Sequence, residues 1–168
     1  MQEIELKFSV ADFRAIRSKL KKIGGKLVWK GTEQNFFFDT PTLDLRRKKH
    51  TLRLREWPPK SASITVKAPP IKQSQKYSIR SEYQIEIDNA TLGTQILKRI
   101  GFVQWLHYTK HREHWKLKNA AVELDKINGR FFVEIEAPQK TIEKMAQTLG
   151  LDWQKRTTKG YLDILQEA

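Results

Sequence analysis

Short runs of strictly alternating apolar and polar residues recur along this chain, broken by four stretches whose apolar period is that of a helix. The first run, Glu3-Ile4-Glu5-Leu6-Lys7-Phe8, reads as a strand with Glu3, Glu5 and Lys7 on one face and Ile4, Leu6 and Phe8 on the other. Residues 12 to 23 set Phe13, Ile16, Leu20 and Ile23 at helical spacing, and Gly24-Gly25 stops that helix. Lys26 to Lys30 and Gln34 to Asp39 read as two strands, the second closed by Thr40-Pro41. Leu43 to His50 is a connection whose Arg46-Arg47-Lys48-Lys49 run faces solvent.

Thr51-Leu52-Arg53-Leu54-Arg55 alternates again, Pro58-Pro59 marks a turn, and Ile64 to Lys67 repeats the alternation with Lys67 on the polar side. Residues 68 to 79 read as a mobile loop before a strand from Arg80 to Ile87. Asn89 caps a helix ending near Ile100, with Ile96, Leu97 and Ile100 on its apolar face. The second half resembles the first in layout. Residues 102 to 118 form one or two strands, and Ala121–Lys126 and Phe131–Glu136 are joined by an Asn128-Gly129 hairpin turn. A helix from Pro138 carries Ile142, Met145 and Leu149 up to Gly150, and a last one from Thr158 to Leu165 packs Tyr161, Leu162 and Leu165.

At 168 residues the chain is expected to form one domain, residues 1–168, with a substantial core. It has no cysteine, which excludes disulfides and thiolate metal sites. With no apolar run of membrane-spanning length and no basic-then-apolar leader, a cytoplasmic protein off the membrane is the expectation. The charge is lopsided: 32 Lys and Arg against 19 Asp and Glu, a net +13. Such a field attracts a polyanion: nucleic acid, an acidic membrane surface or a phosphorylated small molecule.

Where the charges fall narrows that choice. At least six strands carry a charged face, with arginines and lysines on the middle strands and acids on the first and last. A two-layer sheet with one wet face accommodates the alternation, but charges this dense repel unless neutralised. A closed antiparallel barrel turns them inward and its apolar face out under amphipathic helices. Lys7, Arg53, Arg55, Lys67, Lys110 and Arg112 would then surround a highly anionic ligand, with Glu3, Glu5, Glu134 and Glu136 holding divalent cations against it. Pattern alone leaves both architectures open.

These motifs, in this order, resemble the CYTH or triphosphate tunnel metalloenzyme superfamily over nearly the whole chain. Glu3, Glu5 and Lys7 resemble its Glu-x-Glu-x-Lys strand, Gln34 to Thr40 its strand ending in Asp-Thr, and Leu52 to Arg55 its paired-arginine strand. Thr65-Val66-Lys67 is similar to the lysine strand, Arg80 to Glu86 to the acidic strand, and Lys110-His111-Arg112 to the Lys-x-Arg strand. Glu123-Leu124-Asp125, Gly129 and Phe132 to Glu136 resemble the closing hairpin, and Lys159-Gly160-Tyr161 a Lys-Ser-Tyr element with glycine for serine.

The resemblance implies an α+β fold: an eight-stranded, closed antiparallel β-barrel with amphipathic helices outside, binding triphosphate with Mg²⁺ or Mn²⁺. It assigns Lys7, Arg53, Arg55, Lys67, Lys110, Arg112 and Lys159 to triphosphate and Glu5 and Glu136 to metal. Glu3 and Glu134 serve a second metal or the attacking water, with Asp125 in the same shell. Glu82 and Glu86 are expected to pair with cations structurally. His107, His111 and His114 have no ligand partner recognisable in the sequence, and the scattered tryptophans read as packing residues.

Three activities suit such a site. The first is hydrolysis of inorganic tripolyphosphate, thiamine triphosphate or a nucleoside triphosphate. The second is class IV adenylyl cyclase chemistry, converting ATP to cyclic AMP and pyrophosphate, for which no ribose–adenine pocket is legible. The third is a non-catalytic polyphosphate- or RNA-binding module, against which the clustered carboxylates argue. A triphosphate-bearing small molecule is therefore the expected partner ahead of nucleic acid, and a homodimer is left open.

Overall fold

A computed structural model describes residues 2–57, 61–69 and 74–166. The strands are β1 (Gln2–Val10), β2 (Lys26–Asp39), β3 (Thr51–Trp57), β4 (Ser61–Ala68), β5 (Ser78–Ile87), β6 (Val103–Leu117), β7 (Ala120–Ile127), β8 (Arg130–Glu136) and the two-residue β9 (Arg156–Thr157). The helices are α1 (Arg14–Lys22), α2 (Asp44–Arg47), α3 (Ala90–Arg99), α4 (Gln139–Leu149) and α5 (Tyr161–Gln166). The ladder runs β5-β4-β3-β2-β6-β7-β8-β1-β9, and a further β5–β1 pairing closes it. Eight strands thus form a closed antiparallel barrel with helices packed outside, and β9 is a short addition to β1.

The chain divides into two compact units, one drawn from residues 31–69 and 80–111, the other from 3–30, 74–79 and 112–166. In the first, α3 packs on β3 and β4. Its mid-helix glycine allows close packing: a Cβ on Gly93 would lie 2.6 Å from Ile87 Cδ1 and 3.1 Å from Leu54 Cδ1, so those side chains would have to move aside for a larger residue. The core beneath it is Phe38, Leu52, Leu54 and Leu97. In the second unit α4 packs on β8 and α1 packs against α4, over a core that includes Leu6, Phe8, Leu20, Trp115, Val133 and Ile142. The β7–β8 hairpin turns through Asn128 (φ 46°) and Gly129 (φ 75°), the left-handed pair that Asn-Gly favours.

Several elements differ from the sequence expectation. Lys26 to Asp39 is one 14-residue strand, because Gly31 interrupts the apolar pattern without interrupting the ladder. Val103 to Leu117 is likewise a single strand. The 43–50 connection contains α2, whose entry is built by Asp39: Oδ1 accepts from the Thr40 and Leu45 amides at 2.7 and 2.8 Å, and Oδ2 from the Arg46 amide at 3.0 Å. The Asp-Thr motif is therefore a loop brace. Within the expected 68–79 loop, Tyr77 is buried and donates to Glu143 on α4 at 2.7 Å. The Pro58-Pro59 turn lies outside the described residues.

The apolar outer face is not covered everywhere. On α3, Leu97 is buried while Ile96 and Ile100 are exposed, because Gly93 and Leu97, four residues apart, point to the sheet. On β5, Tyr83 and Ile85 are 66% and 62% exposed. Among the described residues no helix is long and apolar enough to cross a membrane.

Candidate active site

Alternation along β2, β3, β4 and β6 places a cationic cluster on the face opposite the apolar core. The ladder registers Asn35 with Arg55 and Arg55 with Ser63, Arg53 with Thr65 and Thr65 with Gln84, and Lys67 with Glu82. Arg55 Nε donates to Asn35 Oδ1 at 3.1 Å, and Lys67 Nζ lies 2.9 Å from Glu82 Oε2. Lys110 is fully buried beside Glu33, with Nζ 3.3 Å from Oε1, and Arg55 Nε lies 3.4 Å from the same oxygen. Arg53 is only 9% exposed, yet its Nε has no hydrogen-bond partner and its Nη2 reaches Thr65 Oγ1 only at 3.5 Å. Burial, and then the neighbouring Arg55 charge, push the Arg53 guanidinium down to about 10. A buried guanidinium so poorly matched is costly unless an anion completes it.

The second unit carries the acids. Glu5 and Lys7 on β1 stand in register with Glu136 and Glu134 on β8, and Glu134 stands in register with Glu123 on β7. Lys7 Nζ is 2.6 Å from Glu5 Oε1 and 3.2 Å from Glu134 Oε2. Burial works against the Lys7 charge, but Glu134 and Glu5 together outweigh it and hold its pKa well above the lysine range. Arg112 grips Asp125 bidentately at 2.7 and 2.6 Å, with Glu134 and Glu123 oxygens at 3.6 and 3.7 Å. Tyr161 donates its hydroxyl to Asp125 Oδ2 at 2.7 Å. Its own pKa is driven far up, first by burial and then by the Asp125 charge.

The structure thus gathers Arg53, Arg55, Lys67 and Lys110 in one unit and Glu5, Lys7, Arg112, Asp125 and Glu134 in the other. Glu5 and Glu136, expected to face each other through a metal, are register neighbours on adjacent strands, with Glu5 buried and Glu136 exposed. Glu3 is half-buried and Lys159 is exposed, its backbone amide bonded to Thr157 Oγ1 at 3.1 Å.

The sequence reading missed two groups. Glu33 lay in the gap between the two expected β2 strands; extending the alternation back from Asn35 through Glu33 is the signal that finds it. His114, passed over for want of a partner, has Nδ1 2.6 Å from Glu123 Oε1, a contact that raises its pKa. His107 stacks on Phe36 at 4.5 Å and His111 Nδ1 meets Thr32 Oγ1 at 3.0 Å, so neither looks toward a metal.

Among the described residues no three His, Asp or Glu side chains form a protein-only metal cage. The donor set still fits Mg²⁺ or Mn²⁺, since Mg²⁺ is commonly held by one or two carboxylates and otherwise by phosphate oxygens and water. Glu123 Oε2 is a buried carboxylate oxygen with no hydrogen-bond partner, as such a donor set requires.

The comparisons agree with this fold. A candidate adenylate cyclase of Methanocaldococcus jannaschii is 26% identical over 98% of this chain and 98% of its own length. The crystal structure of a candidate adenylate cyclase from Vibrio parahaemolyticus superposes with a TM-score of 0.85 at 22% identity, covering 98% of this chain and 97% of that one. A Hippeastrum protein described as a candidate adenylyl cyclase with a dominant triphosphatase activity matches with a TM-score of 0.73 at 18% identity, covering 98% of this chain and 95% of that one. The CYTH domain model matches residues 1–163, and the chain belongs to that family, within the triphosphate tunnel metalloenzyme superfamily.

Proposed function

We propose that this protein is an Mg²⁺- or Mn²⁺-dependent triphosphatase, in which water cleaves a terminal phosphoanhydride and orthophosphate leaves. The observation that carries the reading is Arg53, a buried guanidinium beside a second arginine with its Nε unpartnered. Triphosphate supplies the acceptor oxygens and the negative charge that this cluster lacks.

Arg53, Arg55, Lys67 and Lys110 bind phosphate oxygens in this reading, with Lys7, Arg112 and Lys159 as further phosphate ligands. Glu5 and Glu136 hold the metal; Glu3 and Glu134 serve a second metal or orient the attacking water, and Glu123, whose Oε2 accepts no hydrogen bond, joins that donor set. Asp125 fixes the Arg112 fork and takes the Tyr161 hydroxyl. A bound Mg²⁺ or Mn²⁺ neutralises phosphate charge and lowers the pKa of a coordinated water. Phosphoryl transfer otherwise asks the protein for positioning and electrostatic stabilisation, which buried, cross-braced side chains provide.

Cyclase chemistry is the second reading, favoured by what the Methanocaldococcus and Vibrio relatives are named for; the activity described for the Hippeastrum protein favours hydrolysis. The test is incubation with tripolyphosphate, thiamine triphosphate and ATP, each with Mg²⁺ or Mn²⁺, and resolution of the products. Orthophosphate is expected. Cyclic AMP with pyrophosphate would overturn the assignment in favour of the cyclase, and no turnover with metal-independent, steeply salt-sensitive RNA binding would favour a binding module.

A further inference from the structure

Glu33 has no part in the phosphate and metal roles above, yet it stands inside the cationic cluster at 2% exposure. Its Oε1 faces Lys110 Nζ at 3.3 Å, Arg55 Nε at 3.4 Å and Asn35 Nδ2 at 3.3 Å. Those separations exceed the roughly 2.7–2.9 Å of a well-seated charge-assisted hydrogen bond. The Lys7–Glu5 contact, at 2.6 Å, shows what a committed buried pair looks like in this protein. Glu33 therefore stands against two cations at contacts looser than that pair. Arg55 keeps a closer bond, 3.1 Å, to neutral Asn35, so its direction is set even when Glu33 lets go.

We infer that Glu33 is the resting counter-ion of the phosphate-binding cations: it balances Arg55 and Lys110 in the empty protein and competes with phosphate oxygens for both. The inference rests on the triphosphate reading and adds a specificity to it. A carboxylate in this place repels a free polyanion more than one whose charge is partly neutralised by Mg²⁺, so Glu33 selects for the metal-complexed substrate.

The experiment is calorimetric titration of tripolyphosphate, in EDTA, into the wild-type protein, Glu33→Gln and Glu33→Asp. Glu33→Gln is expected to bind about tenfold tighter than wild type, and Glu33→Asp, which keeps the charge, within about twofold of it. A folded Glu33→Gln that binds no tighter than wild type overturns the inference while leaving the triphosphate reading intact. Absence of binding to all three proteins, in EDTA and with Mg²⁺ alike, overturns the reading and the inference together. If Glu33→Gln does not fold, the carboxyl ¹³C resonance of Glu33 is followed in the wild type. A shift as tripolyphosphate saturates supports the exchange, and an unmoved resonance at saturation overturns it.

Discussion

In the unit that holds Arg112, buried cations are over-supplied with acids. Lys7 sits between Glu5 and Glu134, and Arg112 is forked onto Asp125 with two more glutamates within 3.7 Å. In the unit that holds Arg53 the balance is reversed. Arg55 and Lys110 lie 3.4 and 3.3 Å from Glu33, Lys67 lies 2.9 Å from Glu82, and Arg53 has an unpartnered Nε. Both units are antiparallel sheet with a helix packed on the apolar face, so the backbone does not account for the difference. The difference teaches that which charges the register brings together, not the type of backbone, makes one cluster acid-rich and leaves Arg53 Nε in the other without a partner.

The largest expected effect tests the acid-rich side. Asp125→Ala leaves Arg112 and the Tyr161 hydroxyl without their shared buried partner, and stability should fall by about 3–5 kcal/mol in denaturant unfolding. A loss below about 1 kcal/mol would mean that Asp125 is not the keystone of the acidic unit. Next, Glu5→Gln keeps an oxygen for Lys7 but removes the charge proposed to bind the metal. Metal-dependent turnover should drop by on the order of a hundredfold or more, with an unchanged circular dichroism spectrum. Unchanged activity would take Glu5 out of the metal site.

The third prediction has the opposite sign for stability. Arg53→Met replaces a poorly matched buried cation by an apolar chain, so the ligand-free protein should gain about 1 kcal/mol in thermal unfolding. The tripolyphosphate concentration for half-maximal turnover should rise about tenfold. Destabilisation instead would erase the contrast between the units. The smallest effect concerns His114, whose pKa is raised chiefly by its Glu123 contact, with burial and Arg112 opposing and Glu136 assisting. A raised value means the contribution is fully present below the ordinary histidine pKa of about 6.5 and is lost as pH rises through the folded value. Unfolding at pH 6 and pH 8 should show it, and His114→Gln should remove that difference.

Much of this was legible in the residues alone. The alternation of Arg53 with Leu52 and Leu54, or of Glu134 with Val133 and Ile135, assigns each side chain to a face without any knowledge of neighbours. Asn128-Gly129 announces its hairpin for the same local reason. Glu33 falls between the strands read at Lys26–Lys30 and Gln34–Asp39, and the single strand runs through it because a glycine such as Gly31 can stay in a ladder whenever neighbouring strands keep its hydrogen bonds. Ile96 and Ile100 were misplaced because helical periodicity defines an apolar stripe but not which edge of it a sheet will meet. The brace at Asp39 was hidden in a motif that reads as a strand end.

What the sequence by itself determined was the list of charges, the face each one takes and their order along the strands, because pleating is a property of the local backbone. Which charge meets which was decided only by tertiary structure. Arg112 finds Asp125 thirteen residues away, Tyr161 reaches the same carboxylate from thirty-six, and Arg17 meets Glu113 across ninety-six. Those meetings depend on register and closure, which the whole set of strands settles together, and so the difference between an acid-rich cluster and one whose Arg53 Nε has no partner exists only in the folded chain.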